Sequence, residues 1–83
     1  MSQYYCIPER TIETLKRYVD QRNEPGQFVR AVLENNLKES MARADLDNRV
    51  CMFEIVQYVY NELPGICWGT PEKVHKWLAN EEN

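Results

Sequence analysis

Residues 27–63 contain neither glycine nor proline. These two residues are the strongest interrupters of helices, so an unbroken run of this length predicts helical structure. A single helix would be about 55 Å long at 1.5 Å per residue, too long for a lone small domain. We place a break near residues 42–47, where Asp45 or Asp47 can cap a new helix start. The run then forms a second helix at about 27–42 and a third at about 46–63.

A first helix is predicted before this run. Pro8 suits the first turn of a helix, and apolar side chains then recur at helical spacing, namely Ile12, Leu15, Tyr18 and Val19. The Asn-Glu-Pro-Gly cluster at residues 23–26 ends this helix and turns the chain.

A fourth helix is predicted after Pro64 and Gly65, which stop the third. Thr70 is a suitable N-cap, and Pro71 and Glu72 suit the first helical turn. Its inward-facing residues are Val74, Trp77 and Leu78. The fold is therefore predicted to be all-α, a compact bundle of about four helices. It forms a single domain over residues 1–83, with an N-terminal arm at 1–7 and a frayed tail at 80–83.

The third helix is apolar over much of its circumference. One stripe consists of Leu46, Val50, Phe53, Val56 and Tyr60, and a second consists of Met52, Ile55 and Val59. Such a helix is expected to be surrounded on several sides. Because an 83-residue chain has a marginal core, we expect a second copy to cover the Met52 stripe, giving a homo-oligomer.

The three cysteines, Cys6, Cys51 and Cys67, argue against disulfides. Their number is odd, and Cys51 lies in an apolar run where a free thiol acts as a small hydrophobe. Neither a charged-then-apolar leader nor an apolar run of about 18 residues is present. We therefore expect no membrane association and a reducing cytoplasm.

The charge balance narrows the partners. Thirteen acidic and ten basic residues give a net charge of −3, and the basic residues are scattered. Nucleic-acid binding through phosphates requires a basic face, so it is disfavoured. A protein surface or a small anionic molecule in a local pocket remains open.

Catalytic and metal signatures are incomplete. His75 is the only histidine, and a pair with Cys67 would still need an orienting group and an oxyanion site. The three cysteines and this histidine lack the short paired spacings of zinc sites. We therefore predict a non-enzyme with no metal and no cofactor, and we interpret His75 as a surface residue.

Two polar features in the middle of the chain have structural and binding interpretations. Asn36 falls within the apolar arc of the second helix, where a buried asparagine would fix a helix pairing or meet a ligand. The segment Arg43 to Arg49 reads as a helix cap with local Arg–Asp pairs. If this bend faces a partner, Arg43 and Arg49 become fork-shaped donors for phosphate or carboxylate.

The loop at residues 61–73 is the third feature. Free amides at the Thr70 helix start, with Lys73 one turn in, could seat an anion, and Trp68 could stack on a planar ligand. Trp68 could equally have a structural role, packing the last helix against the rest of the fold. The candidate ligand-binding set is Arg43, Arg49, Tyr60, Asn61, Trp68, Gly69, Thr70 and Lys73.

Two segments carry a family resemblance: PGQFVRAVLENNLKESMARAD at residues 25–45 and YNELPGICWGTPEKVHKWL at residues 60–78. They resemble a recurrent type of small accessory protein encoded by bacteriophages and prophages, a family with no settled activity. The resemblance implies a gene expressed inside an infected bacterium, in the host cytoplasm, and dispensable for building the virion.

Two functional classes follow. The protein is expected to be a counter-defence factor that binds a bacterial host protein or holds a small anionic nucleotide signal between subunits. The alternative is a regulatory or structural interaction module of the phage's own programme, without a small ligand.

Overall fold

The computed structural model describes residues 4–80, and this part of the chain is helical with no strand. Residues 1–3 of the predicted arm at 1–7 and residues 81–83 of the predicted tail at 80–83 lie outside the described residues. The elements are α1 (Glu9–Gln21), α2 (Gln27–Leu33), α3 (Leu37–Arg43), α4 (Leu46–Val50), α5 (Met52–Glu62), a 3₁₀ turn (Gly65–Cys67) and α6 (Pro71–Leu78). The all-α class is confirmed. Within residues 4–80, six α-helices replace the predicted four, because two of the predicted helices are interrupted.

The predicted second helix is interrupted at residues 34–36. Asn35 takes a left-handed conformation with φ of 63°, which asparagine tolerates better than most residues. The side chain of Asn36 then accepts a 3.2 Å hydrogen bond from the backbone N–H of Glu39 and caps α3. The interpretation of Asn36 as a buried pairing residue is therefore wrong. It is exposed, because an asparagine side chain competes well for backbone N–H groups at helix starts.

The bend between α3 and α4 lies where it was predicted. Asp45 accepts a 3.0 Å hydrogen bond from the N–H of Asn48 and caps α4. Its other carboxylate oxygen forms a 2.6 Å ion pair with Arg10, and the hydroxyl of Thr11 donates a buried 2.6 Å hydrogen bond to Asn48. These contacts tie the bend to α1, so the Arg–Asp pair here is long-range rather than local.

The two end helices form largely as predicted. Leu15 and Tyr18 of α1 are buried, while Pro8 occupies the cap and α1 begins one residue later, at Glu9. Thr70 accepts a 3.1 Å hydrogen bond from the N–H of Lys73, which caps α6. The inward-facing residues of α6 are confirmed: Val74 and Trp77 are buried and Leu78 is half-buried.

The predicted third helix corresponds to α4 and α5, and its two apolar stripes have the opposite environments from those predicted. Ile55 and Val59 are only 1% and 2% exposed and belong to the chain's own core, with Met52 packed against it. The prediction that the Met52 stripe is left over for a second copy is therefore wrong. The molecule is only 17 Å across its shortest dimension. A helix with its side chains is about 10–12 Å wide, so the molecule is no more than two helices thick in this direction. The other helices can therefore cover only one side of α5, and its other side faces outward.

A disulfide joins Cys6 and Cys51, which contradicts the expectation of three free cysteines. The segment before α1 lies along α5: the disulfide ties Cys6 to the start of this helix, and Tyr4 packs edge-on against Tyr58 in its second half, with ring centroids 4.9 Å apart. Nearby, Ile7 is buried in the core. The pairing joins residues 45 positions apart, so local sequence pattern carries no signal for it. Within residues 4–80, the helices are too short or too polar to cross a membrane.

Candidate functional site

Five of the predicted ligand-binding residues meet at one corner, between the end of α5 and the start of α6. The rings of Tyr60 and Trp68 lie edge to face with centroids 6.1 Å apart. Gly69, with φ of 120°, donates a 2.7 Å backbone hydrogen bond to the carbonyl of Leu33. Thr70 and Lys73 follow immediately in α6. The corner is therefore built partly by contacts that dock the α6 start onto α2.

The cationic groups of the predicted anion site have partners within the chain. The Lys73 ammonium donates a 3.2 Å hydrogen bond to the carbonyl of Gly65. Arg43, at the end of α3, forms a 2.9 Å ion pair with Glu39, and Arg49, in α4, donates to the carbonyl of Ala44 at 3.3 Å. The two arginines lie on either side of the α3–α4 bend. Of the three predicted cations, Lys73 belongs to the corner, and its ammonium is already hydrogen-bonded.

Asn61, the remaining predicted residue, contacts the N-terminal segment. Its amide donates a 3.2 Å hydrogen bond to the hydroxyl of Tyr4, and the Tyr4 hydroxyl in turn donates to Glu62 at 3.2 Å. These contacts hold the segment before α1 against the end of α5. The structure therefore gives Asn61 a role in holding this segment in place.

Cys67 and His75 are in contrasting environments. Cys67 is fully buried, its thiol donates to the carbonyl of Pro64 at 3.2 Å, and burial raises the pKa of the thiol to about 11. A thiol with this pKa stays protonated near neutral pH, and the thiolate is the nucleophilic form. His75 is exposed, as predicted for a surface histidine.

An apolar groove of about 180 Å³ lies beside the corner, between α3 and α5. Trp68 lines it, and the Nε1–H of this indole is buried without a hydrogen-bond partner. Apolar walls come from Val32, Leu37, Met52, Val56 and Val59, and polar lining residues are Asn35, Asn36 and Ser40. The groove was not predicted from the sequence, because its formation depends on the break at residues 34–36 that turns α3 back beside α5.

Five large apolar side chains are exposed on the outer side of α4 and α5, and we call this set the apolar face. Its members are Leu46 (69% exposed), Val50 (70%), Phe53 (71%), Val56 (47%) and Tyr60 (72%). Val56 also lines the groove, so the two features are continuous. Leu37 and Met41 of α3 are exposed as well, and Leu37 also lines the groove. Apolar side chains in a row at helical spacing are the usual means by which a helix binds another protein surface.

Residues 4–80 contain one cluster of potential metal ligands. The sulfurs of Cys6 and Cys51 and a carboxylate oxygen of Glu54 lie within 4.8 Å of one another. Because both sulfurs are joined in the disulfide, neither offers a thiolate in this state. The disulfide in this cluster therefore serves as a covalent cross-link between the N-terminal segment and the start of α5.

Comparison of the chain with protein-family models, with curated proteins and with solved structures finds no match.

Proposed function

We propose that the protein is a non-enzymatic phage accessory factor that acts by protein–protein contact through the apolar face. In the counter-defence role expected from the sequence, it masks a host protein instead of sequestering a nucleotide. The observation that carries this proposal is the exposure of five large apolar side chains in one row along α4 and α5.

The size of this face favours a protein partner. With Phe53 and Tyr60 about seven-tenths exposed, the stripe presents on the order of 600 Å² of apolar surface, at the upper end of the largest patches on monomeric proteins. Each partner in a standard protein interface buries roughly 800 Å². The face together with Leu37 and Met41 therefore has the dimensions of a protein-binding surface.

The electrostatics of the corner weigh against nucleotide sequestration. Phosphate recognition uses charge-assisted hydrogen bonds from arginine or lysine. Here Arg43 is paired with Glu39 and Lys73 with a carbonyl oxygen, and the chain has a net charge of −3. A nucleotide would have to displace these contacts, whereas the apolar face is exposed in the monomer.

An infection assay distinguishes protein binding through the apolar face from nucleotide binding at the corner. Phages that encode Phe53→Asp or Tyr60→Asp should lose the advantage that the wild-type gene confers on a host with an active defence system. The matched control is Tyr5→Asp, since Tyr5 is an 82% exposed aromatic outside the apolar face. Lys73→Glu should retain the wild-type effect.

The opposite pattern would overturn the proposal. If Lys73→Glu abolishes the advantage and the two variants of the apolar face retain it, an anionic ligand at the corner is the functional partner. If the apolar-face variants weaken phage growth equally on hosts with and without defence, the contact belongs to the phage's own programme.

A further inference from the structure

We infer that Cys6, Cys51 and Glu54 form a zinc site when the disulfide between the two cysteines is reduced. The two sulfurs and a carboxylate oxygen of Glu54 lie within 4.8 Å of one another. The inference goes beyond the proposed function and does not depend on it, because none of the three residues belongs to the apolar face. It also revises the expectation of no metal. That expectation came from sequence spacing, which carries no signal for ligands 45 positions apart.

The distances between these three atoms suit one tetrahedral ion. Zinc lies about 2.3 Å from a thiolate sulfur and about 2.0–2.2 Å from a carboxylate oxygen, so its ligand atoms are about 3.5–3.8 Å apart. Breaking a disulfide bond of about 2 Å lets the sulfurs move to this separation by side-chain rotation, without a change in the backbone. Thiolate ligands also select zinc over magnesium and calcium, which prefer oxygen ligands.

The start of α5 positions two of the three ligands. Cys51 is the N-cap residue of this helix, and Glu54 lies in its first turn. Residues three positions apart on a helix lie on the same side of it, so the two side chains point to a common place. The positive end of the helix dipole favours the negative charges of a thiolate and a carboxylate there.

The third ligand, Cys6, is held near α5 by contacts other than the disulfide. On one side of it, Ile7 is buried in the core. On the other side, Tyr4 packs against Tyr58 and its hydroxyl donates a 3.2 Å hydrogen bond to Glu62. The backbone N–H of Ile7 also donates a 3.0 Å hydrogen bond to the carbonyl of Tyr4, which closes a turn around Cys6. Since Cys6 is exposed, an ion can reach the site from solvent.

Reduction and metal binding balance as two successive steps. Two molecules of a small thiol reductant supply two electrons and two protons, the S–S bond breaks to give two protein thiols, and the reductant leaves as its own disulfide. Zn²⁺ then displaces both thiol protons into solvent and binds the two thiolates. Glu54 supplies the third ligand and a water molecule the fourth. In the reducing compartment expected from the sequence, where disulfides are rare, zinc thus replaces the covalent cross-link.

Zinc titration of the reduced protein tests the site directly. Protein that has been reduced under nitrogen and then freed of reductant should take one zinc ion per chain from a chromophoric chelator and release two protons. The disulfide form should take none. Cobalt titration should give the ultraviolet charge-transfer band of thiolate–cobalt bonds in the reduced protein alone. A reduced protein that takes no zinc, or a disulfide form that takes as much, would overturn the inference.

Substitutions identify the ligands. Loss of an outer-shell partner alone typically weakens metal binding by about 10–100-fold, so Cys6→Ser and Glu54→Gln should each weaken zinc binding by at least about tenfold. Cys6 is exposed and Glu54 half-buried, so both variants should keep the wild-type circular dichroism. The matched controls are Cys67→Ala, which removes the free thiol, and Glu72→Gln, which alters the glutamate in the first turn of α6. Both controls should bind zinc as the wild type does.

Thermal melts provide a second readout that does not depend on the chelator. Zinc should raise the melting temperature of the reduced wild-type protein, because a ligand that binds only the folded state stabilises it. It should leave the disulfide form and the reduced Cys6→Ser variant unchanged. Equal zinc binding by Cys6→Ser and the wild type would overturn the site, and wild-type binding by Glu54→Gln would overturn the three-ligand arrangement.

Discussion

The indole Nε1–H of Trp77 donates a buried 2.8 Å hydrogen bond to the backbone carbonyl of Tyr18. The Tyr18 side chain extends from α1 in the other direction, and its hydroxyl donates a buried 2.6 Å hydrogen bond to the carbonyl of Cys67. The guanidinium of Arg22 closes the end of α1 by stacking 3.6 Å from the centroid of the Trp77 ring. Tyr18 thus connects α1 to both α6 and the 3₁₀ turn that precedes it.

Removal of the Tyr18 hydroxyl should destabilise the fold. Tyr18→Phe leaves the buried carbonyl of Cys67 without its donor, which costs about 1–3 kcal/mol of unfolding free energy. Urea denaturation monitored by circular dichroism measures the difference. Tyr58→Phe is the matched control, because Tyr58 is only half-buried, and its change should stay below about 0.5 kcal/mol. Equal losses for both variants would show that the Tyr18 hydrogen bond has no special role.

Reduction of the Cys6–Cys51 disulfide should lower the unfolding free energy by about 2–4 kcal/mol, since the cross-link restricts a long loop of the unfolded chain. Thermal melts with and without a phosphine reductant measure this change. In the Cys6→Ser variant the reductant should have no effect, because Cys67 is a free thiol. A variant that still responds to reductant would indicate a different pairing.

Alkaline pH should weaken the fold through Cys67. Burial raises the pKa of this thiol from 9.0 to about 11, so the folded state holds its proton where the unfolded chain has released it. The resulting stability is fully present below pH 9 and is lost as the pH rises to 11, with a slope of at most about 1.4 kcal/mol per pH unit.

Burial also raises the pKa of Tyr18, which adds to the loss above pH 10. Denaturation midpoints between pH 7 and pH 11 test both contributions. The Cys67→Ala variant should show no loss of stability between pH 9 and 10 but should still lose stability above pH 10. A midpoint that is flat across this range in the wild-type protein would contradict the raised pKa values.

Truncation of a side chain should lower the unfolding free energy much more on the buried side of α5 than on its exposed side. Ile55→Ala removes a fully buried side chain and should cost about 2–5 kcal/mol of unfolding free energy. Phe53→Ala, at an exposed position, should cost less than about 1 kcal/mol. Chemical denaturation of both variants at the same low concentration provides the comparison. A larger loss for Phe53→Ala would place the Phe53 side in the core.

Some features of the candidate site depend on contacts between residues close in sequence, and others depend on contacts between distant residues. The caps at Asp45 and Thr70 could be read from the sequence, because a capping side chain bonds a backbone N–H only three residues away. The groove could not, since Trp68 and Leu37 come together only after the chain has turned at Asn35. Asn36 was misread because a helical wheel assumes an unbroken helix.

The sequence by itself determined the all-α class, the approximate starts of α1, α2, α4 and α6, and the existence of two apolar stripes around residues 46–60. These properties depend on contacts between residues a few positions apart, which periodicity and capping patterns record directly. Only the tertiary structure decided which stripe enters the core and which cysteines pair. Both outcomes depend on where α1 and the segment before it lie against α5, and such contacts between distant residues are set by the packing of the whole chain.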